Sequence, residues 1–238
     1  ESLSIPVIED IPGVGQNLCD HPAISVVMKA KPGLEFDFDS PIIQTILRYT
    51  APGSDKRNDL QIEQLSFVGQ NDGTPRFGIA AVLEYQYGRG ELTLTSADPH
   101  VAPKIDNRFC EDERDLSRLV SCFRDTLAFP TKSHLKEMCE EIQFPNLGRG
   151  DSDEDLAKLC RKFSGSGYHP SGTVKMGEEN DTMAVVDQYG RAHKVDNLVV
   201  ADAAIMPFVP RANTNLTAIM IGEKIGEWIR TRSAIYGL

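Results

Sequence analysis

The run Gly165-Ser166-Gly167-Tyr168-His169-Pro170-Ser171-Gly172-Thr173 holds the side chain with the strongest claim to chemistry in this sequence. Gly165, Gly167 and Gly172 open space around His169, and an imidazole can accept a hydroxyl proton in a transition state. A core histidine bonded to a carbonyl fits the same local residues, and both readings stand at this point. His21, His100, His134 and His193 have no such surroundings and read as structural or surface residues. Further on, Asn213-Thr214-Asn215 precedes an apolar-periodic run, which makes an asparagine N-cap one reading. The other is that a helix start, carrying about half a positive charge, faces an electron-rich ligand edge while an amide supplies a directed hydrogen bond.

These residues need elements to position them. Residues 1 to 21 predict a short strand, a Pro/Gly turn and a tight loop, with Gly13-Val14-Gly15 read as a turn because it lacks the third glycine of a nucleotide loop. An apolar strand follows over Ala23 to Met28. Pro41 to Tyr49 predicts a helix opened by proline, inside an otherwise loop-like stretch from 32 to 58. Asp59 to Val68, Phe77 to Tyr87 and Glu91 to Thr95 read as strands, mainly antiparallel, with Gly88-Arg89-Gly90 as a hairpin connection. A helix with an acidic start runs from Glu111 to Phe129, where Pro130 ends it; Leu116, Leu119, Val120, Phe123 and Leu127 give it one apolar face to lay on the sheet. Ser133 to Ile142 predicts a second helix, and Asp151-Ser152-Asp153-Glu154-Asp155 a capped start to a third that reaches Phe163. Beyond the histidine, Asn197 to Ala201 reads as a buried parallel strand with Asp202 at its carboxyl end, where ligands bind in α/β folds. Leu216, Ile219, Met220, Ile225, Trp228 and Ile229 define a final helix from Thr214. The expected organisation is an insertion, residues 22–160, set on elements from both ends, 1–21 and 161–238.

The chain has 238 residues, 40% of them hydrophobic, with 25 Lys+Arg against 35 Asp+Glu, a net charge of -10. Such a charge repels a phosphate backbone, so nucleic acid is excluded as an expected partner, and no apolar run is long enough for a membrane span. Cys19, Cys110, Cys122, Cys139 and Cys160 are scattered singly, which suits reduced thiols in a cytoplasmic protein, and Cys19 near His21 lacks a third ligand, so no metal is expected. The chain lacks an initiator methionine, and a piece of a longer protein is expected.

Three runs carry a resemblance. Pro12-Gly13-Val14-Gly15-Gln16-Asn17-Leu18-Cys19-Asp20-His21-Pro22, then Tyr168-His169-Pro170-Ser171-Gly172-Thr173-Val174-Lys175-Met176-Gly177, then Val200-Ala201-Asp202-Ala203 through Asn213-Thr214-Asn215 and Ile221-Gly222-Glu223-Lys224 together resemble the C-terminal half of a glucose-methanol-choline (GMC) oxidoreductase, of the choline dehydrogenase or alcohol oxidase type. The resemblance implies a mixed α+β and α/β fold. In it a substrate-binding domain with an antiparallel sheet flanked by helices (22–160) joins the C-terminal strand-helix part of a Rossmann-like FAD-binding domain (1–21 and 161–238). It implies FAD as cofactor, a small alcohol, expected to be primary, as substrate, and an N-terminal FAD-binding half as partner. Carried over by position, His169 is the base that accepts the hydroxyl proton as hydride leaves for flavin N5, and Asn213 bonds the same oxygen. Asn17, Asp202, Ala203, Thr214 and Asn215 fall at cofactor-binding positions. A hydroxynitrile lyase of the same family, and a non-catalytic module, are the competing expectations. Tyr168, Phe67 and Phe208 are candidate pocket walls and equally candidates for core.

Overall fold

The computed structural model describes residues 3–69, 72–132, 134–146 and 152–237, which form two compact units. One comprises His21–Tyr87 and Phe109–Gly167; the other comprises Glu1–Asp20, Gly88–Arg108 and Tyr168–Leu238.

The first of these is built on an antiparallel sheet. Its strands are β1 (Pro22–Ala30), β2 (Ile43–Tyr49), β3 (Leu60–Leu65) and β4 (Arg76–Leu83). With β7 (Cys139–Phe144) they stand in the order β2-β3-β4-β1-β7. Burial alternates along β1, so that Ile24, Val26, Met28 and Ala30 face inward, as the period of two requires. Residues of the same face in β3 and β4, among them Leu60, Ile62, Phe77, Ile79 and Leu83, join them in one core. Helix α1 (Glu113–Lys132) covers that face with Leu116, Leu119, Val120 and Phe123. Phe123 is fully buried, a burial that stabilises by about 2–3 kcal/mol. The opposite face carries a polar cluster beside Ala80 and Val82. There Arg48 Nε donates to Gln61 Oε1 (2.8 Å) and Gln61 Nε2 to Glu63 Oε2 (2.9 Å), while burial pushes the neighbouring Glu84 carboxyl up to about 7 against the pull of Arg48.

Three expectations change in this unit. Residues 43–49 form a strand, not a helix: Ile43, Thr45 and Ile46 are β-branched, and the segment pairs with β3 from Ile43↔Leu65 to Tyr49↔Leu60. The helix expected over 133–142 is confined to α2 (Leu135–Met138), because Cys139–Phe144 pairs instead with the open side of β1; Ser133 lies outside the described residues. Helix α1 passes through Pro130 to Lys132. Proline in the last turn removes a single intrahelical bond, and its ring is buried against the core. The third helix is α3 (Asp153–Phe163), opened by a reciprocal capping box between Ser152 and Asp155; Asp151 lies outside the described residues.

In the other unit regular structure is sparse. β5 (Glu91–Thr93) pairs with β6 (Lys104–Asp106), so the hairpin expected at 88–90 does not form. Gly90 instead exchanges both backbone hydrogen bonds with Leu18, at 3.0 and 2.9 Å. No strand forms between residues 3 and 17. The parallel strand expected over 197–201 is absent as well. Val199 makes one antiparallel bridge to Arg191, Leu198 is 49% exposed, and both sheets among the described residues are antiparallel, so no parallel neighbour is there to extend it. A short 3-10 turn, Ala203–Ile205, leads to helix α4 (Asn215–Thr231). Val185, Val186, Ile205, Met206, Ile221 and Ile225 form the core of this unit. No helix among the described residues is long and apolar enough to cross a membrane.

Candidate active site

His169 is presented by a turn whose backbone is held from several sides. Tyr168 before it lies in the left-handed region (φ 65°), with its side chain 90% exposed. The His169 amide donates to Asp20 Oδ1 (2.9 Å), and Cys19 and Ser171 exchange both backbone hydrogen bonds at 2.9 Å. After the turn the chain runs alongside the 3-10 turn. Gly172, Val174 and Met176 donate in succession to the carbonyls of Ala203, Ala204 and Ile205 (3.2, 3.0 and 2.7 Å).

Gly172 is required here on two counts. Its φ is 87°, and a Cβ would stand 2.6 Å from the Asn17 carbonyl oxygen and 3.1 Å from that of Met206. Gly172→Ala is therefore expected to cost about 2 kcal/mol or more, read as a lowered thermal midpoint. A variant as stable as the original would show that this loop yields easily.

The imidazole meets Asn213. The Asn213 Nδ2 lies 3.2 Å from His169 Nε2, and an amide nitrogen donates, so in this pairing the ring nitrogen is the acceptor. Two nitrogens at that separation can share one oxygen of a bound molecule, Nε2 taking its proton and the amide donating to its lone pair. His169 is half-buried and Asn213 exposed, so the pair is open to a ligand. Asn213 is not a helix cap. The N-cap of α4 is Thr214, whose own side chain makes no capping hydrogen bond, so it does not occupy the first-turn amides. Asn215, the first residue of α4, is exposed, and Thr214 is buried.

The remaining expected site residues serve the backbone. Asn17 has a left-handed conformation (φ 60°); its Nδ2 donates to the carbonyls of Gly172 (3.1 Å) and Pro207 (3.3 Å), and its Oδ1 accepts from Arg89 Nε (3.0 Å). With its side chain so engaged, Asn17 has its backbone to offer a ligand. Asp202 Oδ1 accepts from the Ala204 amide (2.7 Å), capping the 3-10 turn, and the Ala203 carbonyl is taken by Gly172. The Cys19 thiol beside them donates to the Asn17 carbonyl (3.1 Å), and burial pushes it up despite the pull of Arg89, so it stays protonated and inert.

His169, Asn213, Thr214, Asn215, Asn17, Asp202 and Ala203 thus all lie in one unit. Tyr168 and Phe208 (54% exposed) are in the same unit, whereas Phe67 packs edge-on against Phe38 in the other. Sequence reasoning passed over Asp20 and Arg89. Each was visible as a charged residue inside a tight loop, but a side chain that serves a backbone amide or another side chain leaves no periodic signal. Among the described residues no three His, Cys, Asp or Glu side chains are grouped to hold a metal ion.

Comparisons with known proteins bear on the same residues. A family model described as GMC oxidoreductase matches residues 86–222. Oxygen-dependent choline dehydrogenase 1 of Chromohalobacter salexigens is 31% identical over 265 residues, covering 99% of this chain and 47% of that protein. The oxygen-dependent choline dehydrogenase of Acinetobacter baumannii (strain AYE) is 31% identical over 268 residues, again covering 99% of this chain and 47% of the relative. This chain spans about half the length of the curated relatives it matches. Among solved structures, a formate oxidase of Aspergillus oryzae superposes with a TM-score of 0.83 at 20% identity, over 97% of this chain and 49% of that one. Pyridoxine 4-oxidase from Mesorbium loti superposes with a TM-score of 0.80 at 18% identity, over 96% and 46%. These two likenesses speak to the fold alone.

Proposed function

The chain belongs to the GMC oxidoreductase family, and we propose that it is the C-terminal half of an FAD-dependent enzyme that oxidises a primary alcohol to an aldehyde. The observation that carries the reading is the 3.2 Å approach of Asn213 Nδ2 to His169 Nε2. An unassisted alcohol is a poor hydride donor and an alkoxide-like oxygen a good one. His169 Nε2 takes the hydroxyl proton, and the Asn213 amide donates to the same oxygen and stabilises the negative charge that gathers there. FAD, when bound, supplies the acceptor for the hydride that leaves the carbinol carbon.

The residues present fit such a group. The uncapped start of α4 at Thr214 and Asn215 offers backbone donors and the positive end of a 17-residue helix to an electron-rich ring edge. The backbone at Asp202–Ala203 and around Asn17 would hold its other parts. The partner in this reading is the N-terminal FAD-binding half of the same polypeptide. Helix α4 supports it, since Leu216, Ile219 and Met220 are 77%, 52% and 55% exposed, an apolar stripe of the kind that an interface covers.

Anaerobic reduction of FAD in the full-length protein tests the reading, with choline, pyridoxine, ethanol and benzyl alcohol as probes. Bleaching of the flavin by an alcohol, with one aldehyde formed per flavin reduced, is expected. Cyanide release from a hydroxynitrile with the flavin left oxidised would replace this reading by the lyase, and no reaction with either class would leave the module.

A further inference from the structure

We infer that Asp20 is the positioning residue of His169, its buried carboxylate fixing the imidazole against Asn213 by holding the His169 backbone amide; the inference rests on His169 being the base. The ladder around the turn explains why a side chain is needed there. Cys19 and Ser171 exchange both backbone bonds, so in an unbroken antiparallel ladder the His169 amide would reach the carbonyl of His21. That carbonyl is taken by the Gly167 amide at 2.8 Å. Two residues are therefore extruded from the ladder, Tyr168 turns left-handed, and the His169 amide has lost its backbone acceptor. Asp20 Oδ1, at 2.9 Å, supplies one in its place.

Tyr168 holds a left-handed conformation that a bulky residue seldom adopts, and hydrogen bonds on both sides of it hold the turn. Asp20 is 1% exposed, so in the intact protein its carboxylate, not bulk water, is the acceptor that the amide meets. Without it the turn relaxes and carries the imidazole with it, and a displacement of about 1 Å at a reacting centre costs on the order of 100-fold in rate.

Asp20→Ala, Asp20→Asn, His169→Ala and the double variant Asp20→Ala/His169→Ala in the full-length, FAD-loaded protein test this, with the best alcohol of the panel as substrate. Asp20→Ala is expected to lower kcat about tenfold or more with KM little changed. Asp20→Asn keeps an acceptor oxygen and is expected to stay within about threefold of the unaltered enzyme. The double variant is expected to be no slower than His169→Ala alone, because Asp20 acts through His169. Amide hydrogen exchange across residues 165–172 gives a readout apart from turnover: protection at His169 is lost in Asp20→Ala and kept in Asp20→Asn. Equal damage from the alanine and asparagine variants overturns the inference, as does an Asp20→Ala penalty that persists undiminished on the His169→Ala background. If Asp20→Ala does not fold, Asp20→Asn decides through its rate and its exchange pattern. A His169→Ala variant as fast as the unaltered enzyme sinks the base reading instead, and hydrogen exchange still reports whether Asp20 holds the amide.

Discussion

His169→Ala is expected to slow flavin reduction by the best alcohol at least about 100-fold, with FAD content and thermal midpoint unchanged. General-base removal costs 10²–10⁴ in rate, roughly 3–5 kcal/mol of barrier at 1.36 kcal/mol per decade. The geometry argues for the effect falling on kcat. His169 Nε2 meets Asn213 and the His169 backbone amide is held by Asp20, so the loop keeps that amide bond when the imidazole is removed. Asn213→Ala, which removes one donor to the oxygen and leaves the proton acceptor, is expected to cost less, about tenfold. Stopped-flow reduction under anaerobic conditions measures both. A His169→Ala variant reducing its flavin at the original rate would make the imidazole a structural group, and a larger loss from Asn213→Ala would move the main role to the amide.

The sequence spoke most clearly where one residue type answered one local demand. The face of α1 could be read from Leu116, Leu119 and Phe123, and the start of α3 from Ser152 and Asp155, because periodicity and capping act within a few residues. The strands β3 and β4 were legible for the same reason. What failed was decided from far away. Nothing near Cys139 announces that β1 has a free side, and nothing near Leu198 says that a parallel neighbour is missing. Both segments follow partners more than propensity. The site divides in the same way. His169 and Asn213 stood out by type, and their meeting across 44 positions of sequence is a product of the fold. Asn17 was read as a cofactor-binding residue; its side chain is taken up by Gly172, Pro207 and Arg89, and no local pattern marks a residue that braces a loop from inside.

Arg118→Met is expected to destabilise the protein by about 3–5 kcal/mol, because it removes the cation that two buried carboxylates share. Arg118 Nη1 donates to Asp59 Oδ2 (2.9 Å) and Nη2 to Asp115 Oδ1 (2.7 Å) and the Tyr85 carbonyl (2.8 Å). Asp59 and Asp115 are 0% and 1% exposed. They also bind the chain together: Asp59 accepts from the Ala51 amide (2.8 Å) and Ser54 Oγ (2.6 Å), and Asp115 from the Tyr87 amide (2.9 Å). One guanidinium thus joins α1 to the ends of β3 and β4. Burial pushes the Asp59 carboxyl up, but Ser54, the Ala51 amide and Arg118 outweigh it and hold the group below the usual range. The sign of the pH dependence follows. A lowered native pKa stabilises above the unfolded value, near 4, and that contribution is lost as pH falls through the native one. Without Arg118 one opponent of burial at Asp59 is gone, so the variant's deficit is greatest at neutral pH and shrinks toward pH 4 as the Asp59 carboxylate protonates. The thermal midpoint is expected to fall by roughly 10 °C at pH 7 and by clearly less at pH 4.5. Arg118→Lys keeps a charge but loses the fork that reaches both carboxylates, and is expected to fall between. A deficit under 1 kcal/mol, or one that does not change with pH, would mean that Ser54 and the backbone amides satisfy Asp59 and Asp115 without Arg118.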